Sequence, residues 1–240
     1  MNSHKKQELV DFNEFWKGTY QDMNRIGPVH THMRRIVRRV LSGLEYRSVL
    51  DVGCGTGSAI GMLTADRVLD SVVGIDISQA AIEQARQMGI RGEFLVHNIQ
   101  HSPLPGKWDL VHCSLVLSHV PDDNAAIRHL RHNTGKYLLV TTIAGDYARY
   151  EAWERRIGHV RNQRPGELED KLLAVGLRVK QTIYWGFPFY SPMQRFLHNV
   201  TGMGMGKYSW RTRFIARALT ALYYLNSSKR GDLLVILAEV

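Results

Sequence analysis

Gly53, Gly55 and Gly57 stand at alternate positions in the stretch Val49-Leu50-Asp51-Val52-Gly53-Cys54-Gly55-Thr56-Gly57-Ser58. The apolar run before the first glycine reads as a buried strand, followed by a tight turn and the opening of a helix. Such a turn at the end of a parallel strand makes a bed for a nucleotide-like ligand. A second acid, Asp76, closes Val73-Gly74-Ile75 25 positions after Asp51. A carboxylate there can accept hydrogen bonds from both hydroxyls of a ribose. His97-Asn98-Ile99 follows, with a side-chain amide and a backbone amide that suit an adenine edge. Trp108-Asp109-Leu110-Val111 then leads through Ser114 to Ser118-His119-Val120. His119 and His159 are the candidate proton acceptors near neutral pH, with a packed or capping histidine as the competing reading for each. His30 and His32 are secondary candidates.

The elements that must position these residues alternate along the chain. Strands are predicted at Ser48–Val52, Ser71–Ile77, Glu93–Val96, Leu110–Ser114, Tyr137–Thr142, Leu177–Tyr184 and Leu233–Glu239. Helices are predicted at Ala59–Ala65, Gln79–Met88 with Ser78 as N-cap, Asp123–Thr134 closed by Gly135, and from Pro165 through Val175. The alternation specifies an α/β fold with a doubly wound, largely parallel sheet flanked by helices. Ahead of it, Met33, Ile36, Val37, Val40, Leu41 and Leu44 mark an amphipathic helix. Arg34, Arg35, Arg38 and Arg39 lie on or beside its other side and read as a solvated face in preference to an anion-binding one. The whole of 1–240 is read as one domain: a helical cap over 1–45, a core over 46–185 and 231–240, and a helical insertion or lid over 186–230.

Composition bounds the setting. A 44% hydrophobic, 22% charged chain of 240 residues can bury one sizeable core and is not a disordered chain. No apolar run reaches the ~20 residues that span a bilayer, and Met1–Glu8 lacks a secretory core. Two isolated cysteines, Cys54 and Cys113, point to the cytoplasm rather than to a disulfide framework. The net charge of +9 suits nucleic acid, anionic lipid or an acidic substrate, or solubility alone. Metal is not expected, since no His-Glu-x-x-His or Cys-x-x-Cys spacing occurs.

With these motifs in order, the chain resembles the class I S-adenosylmethionine-dependent methyltransferases, in particular small-molecule enzymes of the ubiquinone-biosynthesis type. The resemblance covers about 46–185 and 231–240. It implies a Rossmann-like seven-stranded sheet of order 3-2-1-4-5-7-6 with the last strand antiparallel. It implies S-adenosyl-L-methionine as cofactor and S-adenosyl-L-homocysteine as product. The cofactor residues it implies are Asp51, Gly53, Cys54, Gly55, Gly57, Asp76, Ile77, Asn98, Ile99 and Ser114, with Tyr20 closing over the cofactor carboxylate. Asn98 stands where the family often has an acid. A nicotinamide dehydrogenase is the rival for the loop, but its fingerprint is G-x-G-x-x-G and the chain has G-x-G-x-G.

Methyl transfer needs the acceptor aligned behind the methyl group, and an oxygen acceptor also needs its proton removed. Ser114-Leu115-Val116-Leu117 lacks the prolines of base-amino methyltransferases, and neither cysteine follows a proline as in cytosine-C5 enzymes. The expected acceptor is therefore a small hydrophobic or aromatic metabolite methylated on oxygen or nitrogen, as in specialised metabolism. RNA, a membrane-lipid-linked acceptor, or a non-catalytic S-adenosylmethionine-binding protein remain the alternatives. Aromatic and methionine residues of the insertion, among them Phe187, Phe189, Tyr190, Met193, Phe196, Met203, Met205, Tyr208 and Trp210, suit an apolar ligand or simply a core. Gly202–Gly206 reads as a flexible joint, and Arg195, Lys207, Arg211, Arg213 and Arg217 as a face for an anionic group or a membrane surface. A monomer or a homodimer fits the sequence.

Overall fold

A computed structural model describes residues 11–18, 21–65, 67–148, 151–193 and 207–240. Seven strands form one sheet: β1 (Ser48–Val52), β2 (Ser71–Asp76), β3 (Glu93–Val96), β4 (Trp108–Ser114), β5 (Thr134–Ile143), β6 (Arg178–Trp185) and β7 (Leu233–Glu239). Their order is β3-β2-β1-β4-β5-β7-β6. The β3-β2-β1-β4-β5 part is parallel, and β7 runs antiparallel to both β5 and β6. This is the expected Rossmann-like topology, and it sets the carboxyl ends of β1, β2, β3 and β4 side by side.

Successive strand residues feed opposite faces of the sheet, as the two-residue period requires. Leu50, Val111, Leu138 and Ile236 join one core with Ile127 and Leu130 of α6 (Asp123–Asn133) and Leu168 and Leu172 of α8 (Glu167–Ala174). Their neighbours Val49, Leu110, Leu139 and Val235 join the other. That second core is covered by Ile36, Val37, Val40 and Leu41 of α3 (Pro28–Leu41) and by Ala216 and Leu219 of the insertion helix Trp210–Leu222. The remaining helices are α1 (Phe12–Gly18), α2 (Gln21–Ile26), α4 (Ser58–Thr64), α5 (Gln79–Gln87) and α7 (Glu151–Arg156).

Two details differ from the sequence expectation, and a third settles an alternative it left open. Gly135 does not close a helix but lies within β5, where a Cβ would come 2.9 Å from the Trp108 carbonyl oxygen of β4. Pro165 precedes the start of α8, whose N-cap is Gly166. In the described insertion, Tyr190, Tyr208 and Tyr223 are buried with Trp185 in the core around His32. The His32 ring stacks on Trp185 at 5.1 Å, and its Nε2 lies 2.8 Å from the Thr220 carbonyl oxygen. These aromatics fasten the insertion to α3. The Gly202–Gly206 joint, Arg195, Phe196, Met203 and Met205 lie outside the described residues.

Candidate active site

β1 leaves the sheet at Gly53, whose φ of +69° is open to glycine at little cost. A Cβ on Gly53 would lie 2.1 Å from Val116 Cγ2, and one on Gly55 would lie 2.5 Å from the Trp16 ring. The loop is therefore squeezed between the turn after β4 and helix α1. Its amides are tied to β2: Gly53 and Cys54 N–H donate to the Ile75 carbonyl oxygen at 2.7 and 2.9 Å. Gly55 N–H donates to Asp76 Oδ2 at 2.9 Å, and Ser78 N–H to Asp76 Oδ1 at 2.9 Å. Asp76 thus joins the glycine loop to the start of α5. Burial raises its pKa against the lowering effect of the Ser78 and Gly55 amides. Each carboxylate oxygen keeps a further lone pair for a ligand hydroxyl.

A cavity of about 560 Å³ lies over these strand ends. Its wall includes Gly53, Cys54, Asp76, Ile77, Asn98, Ile99, Ser114 and His119 of the residues singled out in the sequence. Asn98 Oδ1 accepts from Gln100 N–H at 2.9 Å, which fixes the amide and leaves Nδ2 to donate. Burial first, then the Asp51 and Asp76 charges, raises the Cys54 thiol far above its ordinary range, so it is an inert wall atom.

The other sequence candidates lie elsewhere. Gly55 and Gly57 shape the loop from behind the wall. Asp51 is buried beneath it, with Oδ1 2.7 Å from His112 Nδ1 of the paired residue in β4. Tyr20 lies outside the described residues. His159 is buried behind the wall, its ring 4.7 Å from that of His119 at 70°.

Other wall residues lie outside the cofactor set that the resemblance implies, the secondary candidate His30 among them. Helix α1 roofs the cavity with Phe12, Asn13 and Trp16. Asn13 Oδ1 pins it by accepting from Ser78 Oγ at 3.0 Å and Ala80 N–H at 3.2 Å. His30, Met33 and Arg34, spaced i, i+3 and i+4 on α3, form a side wall. Arg34 is the one lysine or arginine among the described wall residues. Its guanidinium donates to the Asn24 and Arg25 carbonyl oxygens, and no described carboxylate pairs with it. The spacing of three and four residues from His30 was the available signal for Arg34. Taking the four arginines together, with a solvated face preferred to an anion-binding one, did not single it out.

Leu115, at φ +56°, holds a left-handed conformation that costs a non-glycine residue about 1–3 kcal/mol. It turns the chain from β4 into the 3₁₀ turn Leu117–His119. There His119 Nδ1 lies 2.9 Å from the Gly158 carbonyl oxygen, so Nδ1 carries the proton and Nε2 the lone pair. Burial, and then the nearby His159, push the His119 pKa down to about 4. Behind it, His159 Nδ1 lies 2.8 Å from Glu154 Oε2, and Asn162 Nδ2 donates to Glu154 Oε1 at 3.2 Å.

Comparison with known proteins follows this geometry closely. Residues 49–135, from β1 into the start of β5, match the family model described as a methyltransferase domain. This stretch, which holds the glycine loop, Asp76, Asn98 and His119, is similar to a methyltransferase domain. Among curated relatives, the ubiquinone biosynthesis O-methyltransferase of Proteus mirabilis is 29% identical over 118 residues, covering 47% of this chain and 46% of that protein. The chain thus matches about half the length of that relative. Among solved structures, a chain from the Haloferax volcanii complex with the Trm112 methyltransferase activator aligns with a TM-score of 0.65 and 15% identity. The alignment covers 95% of this chain and 97% of that one. The plantazolicin methyltransferase BamL, solved with a triazolic desmethylPZN analog and SAH, aligns with a TM-score of 0.58 and 19% identity over 91% of this chain and 87% of that one. Both structures share the fold of the methyltransferase domain.

Proposed function

We propose that this protein transfers a methyl group from S-adenosylmethionine to an oxygen, or a nitrogen, of a small hydrophobic or aromatic acceptor. The observation that carries the reading is the single cavity running from Asp76 and Asn98 past the glycine loop to His119. Each end of the cofactor has a matching group. Asp76 accepts the ribose hydroxyls, and Asn98 and the Ile99 backbone hold the adenine edge. The squeezed Gly53–Gly57 loop cradles the amino-acid part, and Arg34 meets the α-carboxylate, which supplies the anion that its guanidinium lacks.

Bound there, S-adenosylmethionine supplies an electrophilic methyl on a sulfonium sulfur. The chain's own contribution is alignment first. Phe12, Trp16, Met33, Leu115 and Val116 give the wall beside the loop an apolar surface, which excludes water and packs an aromatic or aliphatic acceptor. His119 then takes the proton. Its low pKa keeps Nε2 unprotonated at neutral pH, ready to accept a hydrogen bond from a hydroxyl. A neutral oxygen that gains a methyl becomes a strong acid, so a weak base suffices to receive the proton as the bond forms. His159 and Glu154 fix the position of the ring from behind.

Incubation with methyl-labelled cofactor and a cell extract separated into small-molecule and RNA fractions tests the reading. Label in a low-mass apolar product supports it. Label only in RNA, or in no product despite cofactor binding, favours the alternatives of an RNA methyltransferase or a binding protein.

A further inference from the structure

The insertion helix Trp210–Leu222 is amphipathic twice over. Ala216, Leu219 and the following Tyr223 are buried against the body. On the opposite side a second apolar stripe faces outward: Trp210, Phe214, Ala218, Ala221 and Leu225 at four-, four-, three- and four-residue steps. Trp210, Phe214 and Leu225 are 75%, 71% and 69% exposed, values unusual for side chains of this size. Arg213 and Arg217 border the stripe on one flank and Arg211 on the other, all exposed.

Arginines also sit against its aromatics. Arg211 lies over the Trp210 ring at 5.3 Å, Arg35 of α3 over Tyr224 at 4.4 Å, and Arg230 over the half-exposed Phe187 at 4.3 Å. The Phe187 backbone lies beside the end of the stripe, its carbonyl oxygen accepting from Ser227 N–H at 2.7 Å. No Asp or Glu occurs between Asp170 and Asp232, nor anywhere in α3. The face is therefore apolar at its centre and cationic on both flanks; Asp22 of α2, which lies 3.4 Å from Arg213, is itself buried.

We infer that this face seats the protein on an anionic lipid bilayer. Helices that lie in a membrane interface carry Trp, Phe and Leu on one side with Arg alongside. Their arginines meet anionic headgroups while the aromatic rings rest at the headgroup boundary. A second copy of the chain is the less suitable occupant. Two such helices packed stripe to stripe would set Arg211 and Arg217 of one against those of the other, with no carboxylate of the insertion helix between them. The inference does not depend on methyl transfer, since it concerns the side of the insertion helix turned away from the core.

The test is co-sedimentation of the full chain with phosphatidylcholine vesicles, with and without phosphatidylglycerol. Trp210→Ser/Phe214→Ser and Arg211→Glu/Arg217→Glu serve as variants, and light scattering and thermal melting accompany them. These side chains are exposed, so both variants are expected to melt as the parent does. The inference requires binding to phosphatidylglycerol vesicles that weakens with salt and falls about tenfold or more in each variant. Equal partitioning of parent and variants overturns it. So does a dimer that the Trp210→Ser/Phe214→Ser variant splits into monomers, which would make the stripe a contact between copies.

Discussion

The His119 and His159 rings meet at 70° with their centroids 4.7 Å apart, and the two histidines are held by unlike partners. His119 Nδ1 lies 2.9 Å from the Gly158 carbonyl oxygen, whereas His159 Nδ1 lies 2.8 Å from the buried Glu154 carboxylate. Only His119 is on the cavity wall. His119→Ala is therefore expected to lower kcat by roughly 10²- to 10⁴-fold for an oxygen acceptor. His159→Ala and Glu154→Gln should act more mildly, through ring position. Steady-state rates with cofactor affinity measured in parallel check this. A His119→Ala enzyme with full turnover would leave alignment alone as the source of rate.

The same geometry fixes a pH dependence. The folded pKa of His119, about 4, lies below its ordinary 6.5, so the fold favours the neutral ring. Activity that needs neutral His119 should persist well below pH 6.5, with its acid limb nearer 4. Stability follows with the same sign. The His119 contribution is complete above pH 6.5 and is lost as pH falls toward 4, where the unfolded chain has already taken up the proton. A kcat limb at or above 6.5 would show that another group titrates.

Arg34 should matter for the cofactor rather than for the acceptor. Arg34→Met removes a charge-assisted contact and is expected to weaken S-adenosylmethionine binding roughly ten- to hundredfold. Sinefungin, which keeps the amino-acid carboxylate, should lose affinity in parallel, whereas adenosine, which lacks it, should not. Equal losses for all three would place the effect in the fold.

Asn13 closes the roof by accepting from Ser78 Oγ and Ala80 N–H. Asn13→Ala removes both contacts and should raise the cofactor dissociation constant about tenfold, mainly through faster release. Stopped-flow displacement measures that rate. An unchanged release rate would mean that α1 is held by its other contacts.

Asp51 offers a contrast. Its carboxylate is shared with His112 deep between β1 and β4. Asp51→Ala should cost about 3 kcal/mol of stability, lowering Tm by roughly 6–12 °C in a domain of this size. An unchanged Tm with abolished cofactor binding would restore the ligand role that the resemblance implies.

The contrast shows which parts of the site were legible in the sequence. The β1 turn, Asp76 and Asn98 are strand-end features, and strand ends converge once a parallel sheet is recognised. The partner of Asp51 sits 61 residues away, and its identity depends on the β1–β4 register. Arg34 was hidden because the sequence gives the period of α3 but not which end of that helix overhangs β4. The insertion aromatics were equally ambiguous, since a core around His32 and a cover over a ligand call for the same residue types.

Titration calorimetry of S-adenosylhomocysteine into the parent chain and into Asp76→Ala tests the central claim most directly, with melting curves confirming that both are folded. The account predicts one saturable site per chain in the parent, weakened by at least about tenfold in the variant through loss of the ribose hydrogen bonds. Absence of binding to the parent, or equal affinity in a folded Asp76→Ala chain, would contradict it.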